Sequence, residues 1–271
     1  MGENSRLIHE DNRPLNKSYT FAYDNAGNIT EKKTYAFTTG TLGTAIETLA
    51  YSYGDTQWKD LLTSVGGETI LYDGVGNPVK IGVYDAATDT WGDHYILTWN
   101  GRKLTNITRN TVATDDIGVI SYEYNESGIR TKKTMDDIVI EYLLEGSQII
   151  GEKHDDGTLI IYLYDDTGVS GMVIKSGTSE YFYTFEKNLQ GDIIAIYNES
   201  LVKIVDYTYD AWGNFTTTVT SSASSWEYLV AEYYNPFRYR GYYWNFETGN
   251  YYLQTRCYNP SGALFPLDCR G

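Results

Sequence analysis

The chain has 271 residues and a formal charge of −15, from 21 Lys and Arg against 36 Asp and Glu. That length suffices for one large domain or two ordinary ones, and the acidic balance excludes a surface that tracks a phosphate backbone, which needs a basic stripe. Aromatic content is the anomaly: 27 Tyr, six Trp and eight Phe stand beside 26 Gly and five Pro, which excludes a disordered chain and predicts strands joined by tight turns.

From the N-terminus, Met1 to Arg6 shows neither a basic region followed by an apolar stretch nor a transit composition, so no signal peptide is read in this chain. The first repeated element is Tyr23-Asp24-Asn25-Ala26-Gly27-Asn28. It returns as Tyr72-Asp73-Gly74-Val75-Gly76-Asn77 and as Tyr209-Asp210-Ala211-Trp212-Gly213-Asn214, with relaxed copies at Tyr124-Asn125-Glu126-Ser127-Gly128 and Tyr164-Asp165-Asp166-Thr167-Gly168. A recurring motif of this kind marks a repeat architecture. The uneven steps of 49, 52, 40 and 45 residues between the starting tyrosines predict hairpins of varying length. In each copy the Asp or Asn side chain can fold back onto the backbone and the Gly can take a positive φ, so each motif reads as a strand reversal.

Between the turns the pattern alternates as half-buried strands do. Residues 44–49 have some helical spacing, but Tyr51 and Tyr53 tilt that segment to strand. Strands are predicted over 119–124, 138–144, 171–175, 181–185 and 202–209, and no long helix is expected. The apolar runs 159–164 and 192–197 are strand length and too short to cross a bilayer as a helix. Cys257 and Cys269 are too few for a disulfide framework and read as free thiols.

The Tyr-Asp-x-x-Gly copies resemble the YD repeats of the RHS (rearrangement hot spot) proteins. Residues 188–193 (NLQGDI) resemble the family's segment before the last repeats, and 235–260 (NPFRYRGYYWNFETGNYYLQTRCYNP) resembles its core signature, carried by Asn235, Pro236, Arg238, Tyr239, Gly241, Tyr242, Gly249, Tyr252, Arg256, Asn259 and Pro260. Residues 58–64 (WKDLLTS) and 101–104 (GRKL) further resemble a clostridia-like, wall-associated subgroup. The resemblance implies an all-β spiral sheet of YD-repeat hairpins that forms part of a hollow shell around a C-terminal toxin. The expected organisation is YD repeats over 1–230, the core signature over 231–260 and a divergent or truncated tail over 261–271. Implied partners are the toxin and the remainder of the shell, in a parent protein that is secreted or held at the cell surface. A shell that encloses a partly unfolded passenger needs a continuous sheet with few free edges.

The chain also departs from that family. Residues 3–12 read as the second half of a repeat that lacks its Tyr-Asp start. After Pro260 the family's Gly-Arg-Phe element is missing, so the tail from Ser261 is expected to be non-homologous and the chain to be cut at both ends. The family's aspartyl-protease-like site would need two carboxylates sharing a proton, and Asp268 is a weak catalytic candidate standing alone. Arg238, Arg240 and Arg256 are expected to pair with acids such as Glu232 or Glu247.

The acid pairs at 115–116, 136–137, 155–156 and 165–166 lack calcium-loop spacing. His9, His94 and His154 lack zinc spacing, and no nucleophile elbow, phosphate loop or dinucleotide fingerprint occurs. No metal, cofactor, nucleic-acid partner or enzyme chemistry is therefore expected. The aromatic cluster at 233–252 reads as shell wall, or else as a platform for cell-wall or surface glycans. Three functions follow: a structural shell segment, a carbohydrate-binding adhesion module, or a self-cleaving core. Open sheet edges would favour dimers or aggregation.

Overall fold

The computed structural model describes residues 6–111, 116–221, 223–254 and 257–260. Among them, nineteen strands from His9–Asn12 to Phe215–Val219 form one antiparallel sheet. Each strand pairs with its neighbours in the chain, as in Lys17–Tyr23 with Ile29–Ala36 and Leu159–Asp165 with Gly168–Ser176. The all-β spiral sheet expected from the repeats is the observed fold, with every predicted strand present.

Alternation explains which face is buried. Side chains two apart share a face, so Tyr162, Met172 and Tyr183, aligned across three strands, all point inward and are almost fully buried. Burying one such side chain contributes roughly 1.5–3 kcal/mol. The opposite face keeps Lys175 and Phe182 exposed.

The repeat tyrosines tie neighbouring strands together. Tyr23, Tyr72, Tyr124, Tyr164 and Tyr209 lie at strand ends, and their hydroxyls donate to the carbonyls of Leu7, Leu62, Leu104, Ile149 and Ile193, at or near the start of the preceding strand, over 2.6–2.7 Å. Tyr53 and the Trp99 indole do the same to Ile29 and Pro78. At Tyr23, Tyr72, Trp99, Tyr124 and Tyr164 the ladder shifts register at the aromatic residue itself. Such a bulge re-aims a side chain, here sideways onto the adjacent strand.

No ladder joins the first strand to the last among the described residues, so the sheet is a roll and not a closed barrel. Its ends meet through side chains instead. Asn12 Nδ2 donates to the Tyr209 carbonyl at 2.9 Å, the Ala211 amide donates to Glu10 Oε1 at 3.1 Å, Lys32 Nζ lies 3.7 Å from Asp210 Oδ2, and Phe21 rests on Trp212 with ring centroids 5.8 Å apart.

The chain then turns onto the inward face. Ser224 and Glu227 form a reciprocal capping box that starts the helix Ser225–Leu229, which widens into one π turn, Val230–Tyr234. Sequence reading missed this helix, although Ser-x-x-Glu is its local signature. A second sheet of Tyr243–Asn245, Asn250–Tyr252 and Cys257–Tyr258 completes the segment. The expected hollow is not enclosed by these residues: inward side chains pack on one another and on the 224–260 segment, leaving open clefts such as those of about 580 and 520 Å³. No helix among them is long and apolar enough to cross a membrane. Arg256, Asp268, Cys269, Asp115 and the tail 261–271 lie outside the described residues.

Candidate functional site: the core segment clasped to the wall

The site is built from the repeat turn upward. In the last copy Asp210 Oδ1 accepts from the amides of Trp212 and Asn214, while Asn214 Nδ2 returns a bond to Asp210 Oδ2 at 2.7 Å. Asp73 with Asn77, and Asp24 with Asn28, repeat this reciprocal lock. At 188–192 the same turn appears with the partners exchanged, Asn188 taking the Asp place and Asp192 the Asn place. In the relaxed copy at Tyr124, Asn125 Oδ1 accepts from the Ile129 amide. The copy at Tyr164 departs from the pattern: Asp165 pairs directly with Gly168, and its carboxylate accepts from Thr167 in a two-residue loop. Three hydrogen bonds to Asp165 Oδ1, from the Thr167 hydroxyl and amide and from Lys187, hold that exposed carboxylate down at about 2.

Gly213 shows why the repeat glycine matters here. Its φ is +86°, and an added Cβ would lie 2.6 Å from the ring of Tyr239, so both backbone conformation and space exclude a side chain.

Onto this last turn the core segment places three tyrosines. Tyr239 donates to the Ala211 carbonyl at 3.0 Å, Tyr258 to Trp212 at 2.7 Å and Tyr251 to Gly213 at 2.9 Å, taking three consecutive backbone acceptors. Asn214 Nδ2 donates to the Pro260 carbonyl at 2.9 Å. Asn235 and Arg238, both buried, shape the entry to this clasp. Asn235 exchanges bonds with the backbone of Phe237 across Pro236. The Arg238 guanidinium donates to the carbonyls of Ala231, Asn235 and Phe237 and stacks over Tyr207 at 4.3 Å. It thus caps the helix end. The expected pairing of Arg238 and Arg240 with acids is corrected: the Arg238 Nη atoms donate to three carbonyls, Arg240 lies over the Tyr239 ring at 5.2 Å, and Glu247 is taken by Lys133. Gly241 and Gly249 take positive φ in the turns of this segment, and Tyr242 lies half-buried beside Tyr251.

A second contact between segment and wall is ionic and buried. Lys133 Nζ meets Glu247 Oε2 at 3.2 Å, and Arg130 lies between the rings of Tyr122 and Tyr252 while donating to Asn245 Oδ1 at 2.9 Å. Glu152 Oε1 accepts from Tyr162 at 2.8 Å and Tyr243 at 2.7 Å, and its Oε2 meets His154 at 3.0 Å. Burial alone would raise Glu152, but the hydrogen bonds from His154 and Tyr243, with the charges of His154 and Lys133, hold it below the usual carboxylate range. Burial lowers Lys133, but the charges of Glu247, Tyr142 and Glu152 together outweigh it, leaving it raised. Both Glu152 and His154 are at most 4% exposed, so the pair fastens the wall to the segment and offers no route for substrate. Sequence reading did not single out Arg130, Lys133 or Glu152; charged residues in the inward register of a strand were the available signal.

No family model matches the chain. It is similar to the tRNA3(Ser)-specific nuclease WapA of Bacillus spizizenii and to the tRNA nuclease WapA of Bacillus subtilis, each 33% identical over 207 residues. The match takes in 75% of this chain but only 8% of either relative, so the chain spans a small part of their length. Among solved structures, the crystal structure of TcdB2–TccC3 superposes with a TM-score of 0.50 at 14% identity, covering 90% of this chain and 12% of that one. The fold is RHS-like, that of a YD-repeat shell wall.

Proposed function

We propose that the chain is a structural segment of an RHS-type toxin-delivery shell: a turn of wall with the core segment that seals it, carrying no catalytic centre of its own. In the parent protein the shell would encapsulate a C-terminal toxin and be secreted or displayed at the cell surface, as in the wall-associated, clostridia-like members. The observation that carries this reading is the clasp of Tyr239, Tyr258 and Tyr251 on the last YD turn, whose hydroxyls are spent on main-chain carbonyls and so fasten the segment to the wall. The match to tRNA nucleases over about 8% of their length supports a toxin-related parent of this type.

The test is a hybrid in which residues 6–260 replace the matched region of the Bacillus subtilis relative. The expected result is that tRNA cleavage by the hybrid persists, that the isolated chain cleaves no tRNA, and that changing Tyr239, Tyr251 and Tyr258 to Phe makes the hybrid more sensitive to protease. Cleavage of tRNA by the isolated chain, or unchanged protease sensitivity in the variant, would overturn the proposal.

A further inference from the structure

Where the two ends of the roll meet, a lysine and an aspartate lie side by side, largely out of water. Lys32, on the strand Ile29–Ala36, holds its Nζ 3.7 Å from Oδ2 of Asp210 in the last repeat turn, with the two side chains 13% and 1% exposed. The ring of Tyr19 lies 5.1 Å from Nζ, and Phe21, Trp212 and Lys32 share one small cavity of about 140 Å³. A second cleft of about 200 Å³, with Lys32, Asp210 and Asn214 in its lining, borders the pair.

The turn around Asp210 is already arranged for attack on its carboxyl carbon. Oδ1 accepts from the amides of Trp212 and Asn214, two backbone donors aimed at the oxygen on which charge would gather. Glu10 stands beside the turn: its Oε1 accepts from the Ala211 amide and from Asn12, while its Oε2 is buried and has no hydrogen-bond partner among the described residues. A buried acceptor left open is costly and asks for an explanation. Burial, first of all, raises Glu10 above its ordinary value, so this carboxylate takes up a proton more readily than one in water.

We infer that Lys32 and Asp210 condense into an intramolecular amide that closes the roll covalently, with Glu10 relaying the proton. The bond from Lys32 Nζ to Asp210 Cγ forms and the Cγ–Oδ2 bond breaks. Of the three ammonium protons, one stays on the amide nitrogen and two leave with Oδ2 as water, so the step needs no oxidant, cofactor or second substrate. Glu10 takes the first of them, which frees the nitrogen lone pair, and passes it to the departing oxygen. Groups fixed this close react as if at far higher concentration than solution allows, and the surrounding rings keep bulk water from hydrolysing the product. In the product Oδ1 keeps its two amide donors, and Asn214 keeps its bond to the Pro260 carbonyl. The bond goes beyond the wall role, and either can hold without the other.

The experiment weighs the full purified chain by mass spectrometry under denaturing conditions and sequences its tryptic peptides. The chain is expected to be lighter than its sequence by one water, with two peptides joined through Lys32 and Asp210. Lys32→Arg keeps the charge and is expected to restore the full sequence mass. Asp210→Asn is expected to lose one ammonia instead and to reach the same final mass as the unaltered chain, an outcome that an ion pair alone cannot produce. Glu10→Gln, which keeps an acceptor for Ala211 and Asn12, is expected to slow the loss about a hundredfold with no change in the circular dichroism spectrum. Full sequence mass in an unaltered chain whose circular dichroism shows the sheet, or a deficit that persists in Lys32→Arg, would overturn the amide. An unchanged rate in Glu10→Gln would overturn the part given to Glu10.

Discussion

The closing Asn does different work in different copies of the repeat turn. Among the described residues the Asn28 side chain bonds back to Asp24 only, whereas Asn77 adds a bond to the Gly101 carbonyl and Asn214 bonds to Asp210 and also to the Pro260 carbonyl. Each net hydrogen bond is worth about 0.5–1.5 kcal/mol, so Asn214→Ala is expected to destabilise the chain roughly twice as much as Asn28→Ala, measured by urea denaturation. The Asp and Gly of the motif were legible in the sequence because their turn chemistry is local. The second bond of Asn214, the Tyr hydroxyl bonds and the three carbonyls around Arg238 were not, because a backbone acceptor leaves no residue type to read. That silence is why acids were expected beside Arg238.

Among elements, the inward face of the strands Arg130–Met135 and Gln148–His154 and the core segment form one ionic joint. Removing one partner of a buried pair strands the other charge, so Glu247→Ala is expected to cost about 3–5 kcal/mol, while Lys133→Met with Glu247→Leu is expected to come out near neutral. Thermal unfolding of the three proteins checks both. The joint also sets a pH window. Glu152 sits below its unfolded value of 4.5, so its contribution is complete above that pH and is lost as pH falls through the lowered folded value. Lys133 is raised above 10.5, and burial first of all pushes Tyr162 and Tyr243 well above 10.0. Their contributions are complete below about pH 10 and are lost as pH rises. A plot of Tm against pH is expected to be flat between these limits, and Glu152→Gln to lower the plateau and soften the acid limb. Strand positions were readable from alternation; the joint was not, since pairing Lys133 with Glu247 spans 114 residues.

For the whole molecule, the meeting of the roll's two ends bears on self-association. The open edge expected from the sequence is partly occupied, because Glu10 and Asn12 reach the turn at 209–211. Exposed edges invite pairing with other chains. Glu10→Ala with Asn12→Ala is therefore expected to raise the mean mass in light scattering above that of the unaltered chain; an unchanged mass would mean the latch does not guard the edge. The spiral sheet was legible in the repeats, but the meeting of its ends was not, since nothing in the half repeat that holds Glu10 and Asn12 names the turn at 209–211 as their partner.

The clasp on the last turn grips main chain and not side chains. Three tyrosines read the carbonyls of residues 211–213, and only Gly213 is constrained by what they do. At this turn the core segment is consequently indifferent to the side chains at 211 and 212, in contrast to the buried joint, where it meets Arg130, Lys133 and Glu152 by their side chains. A sheet that keeps this turn and the inward Arg130, Lys133 and Glu152 can therefore vary in its other strands without any matching change in the core segment.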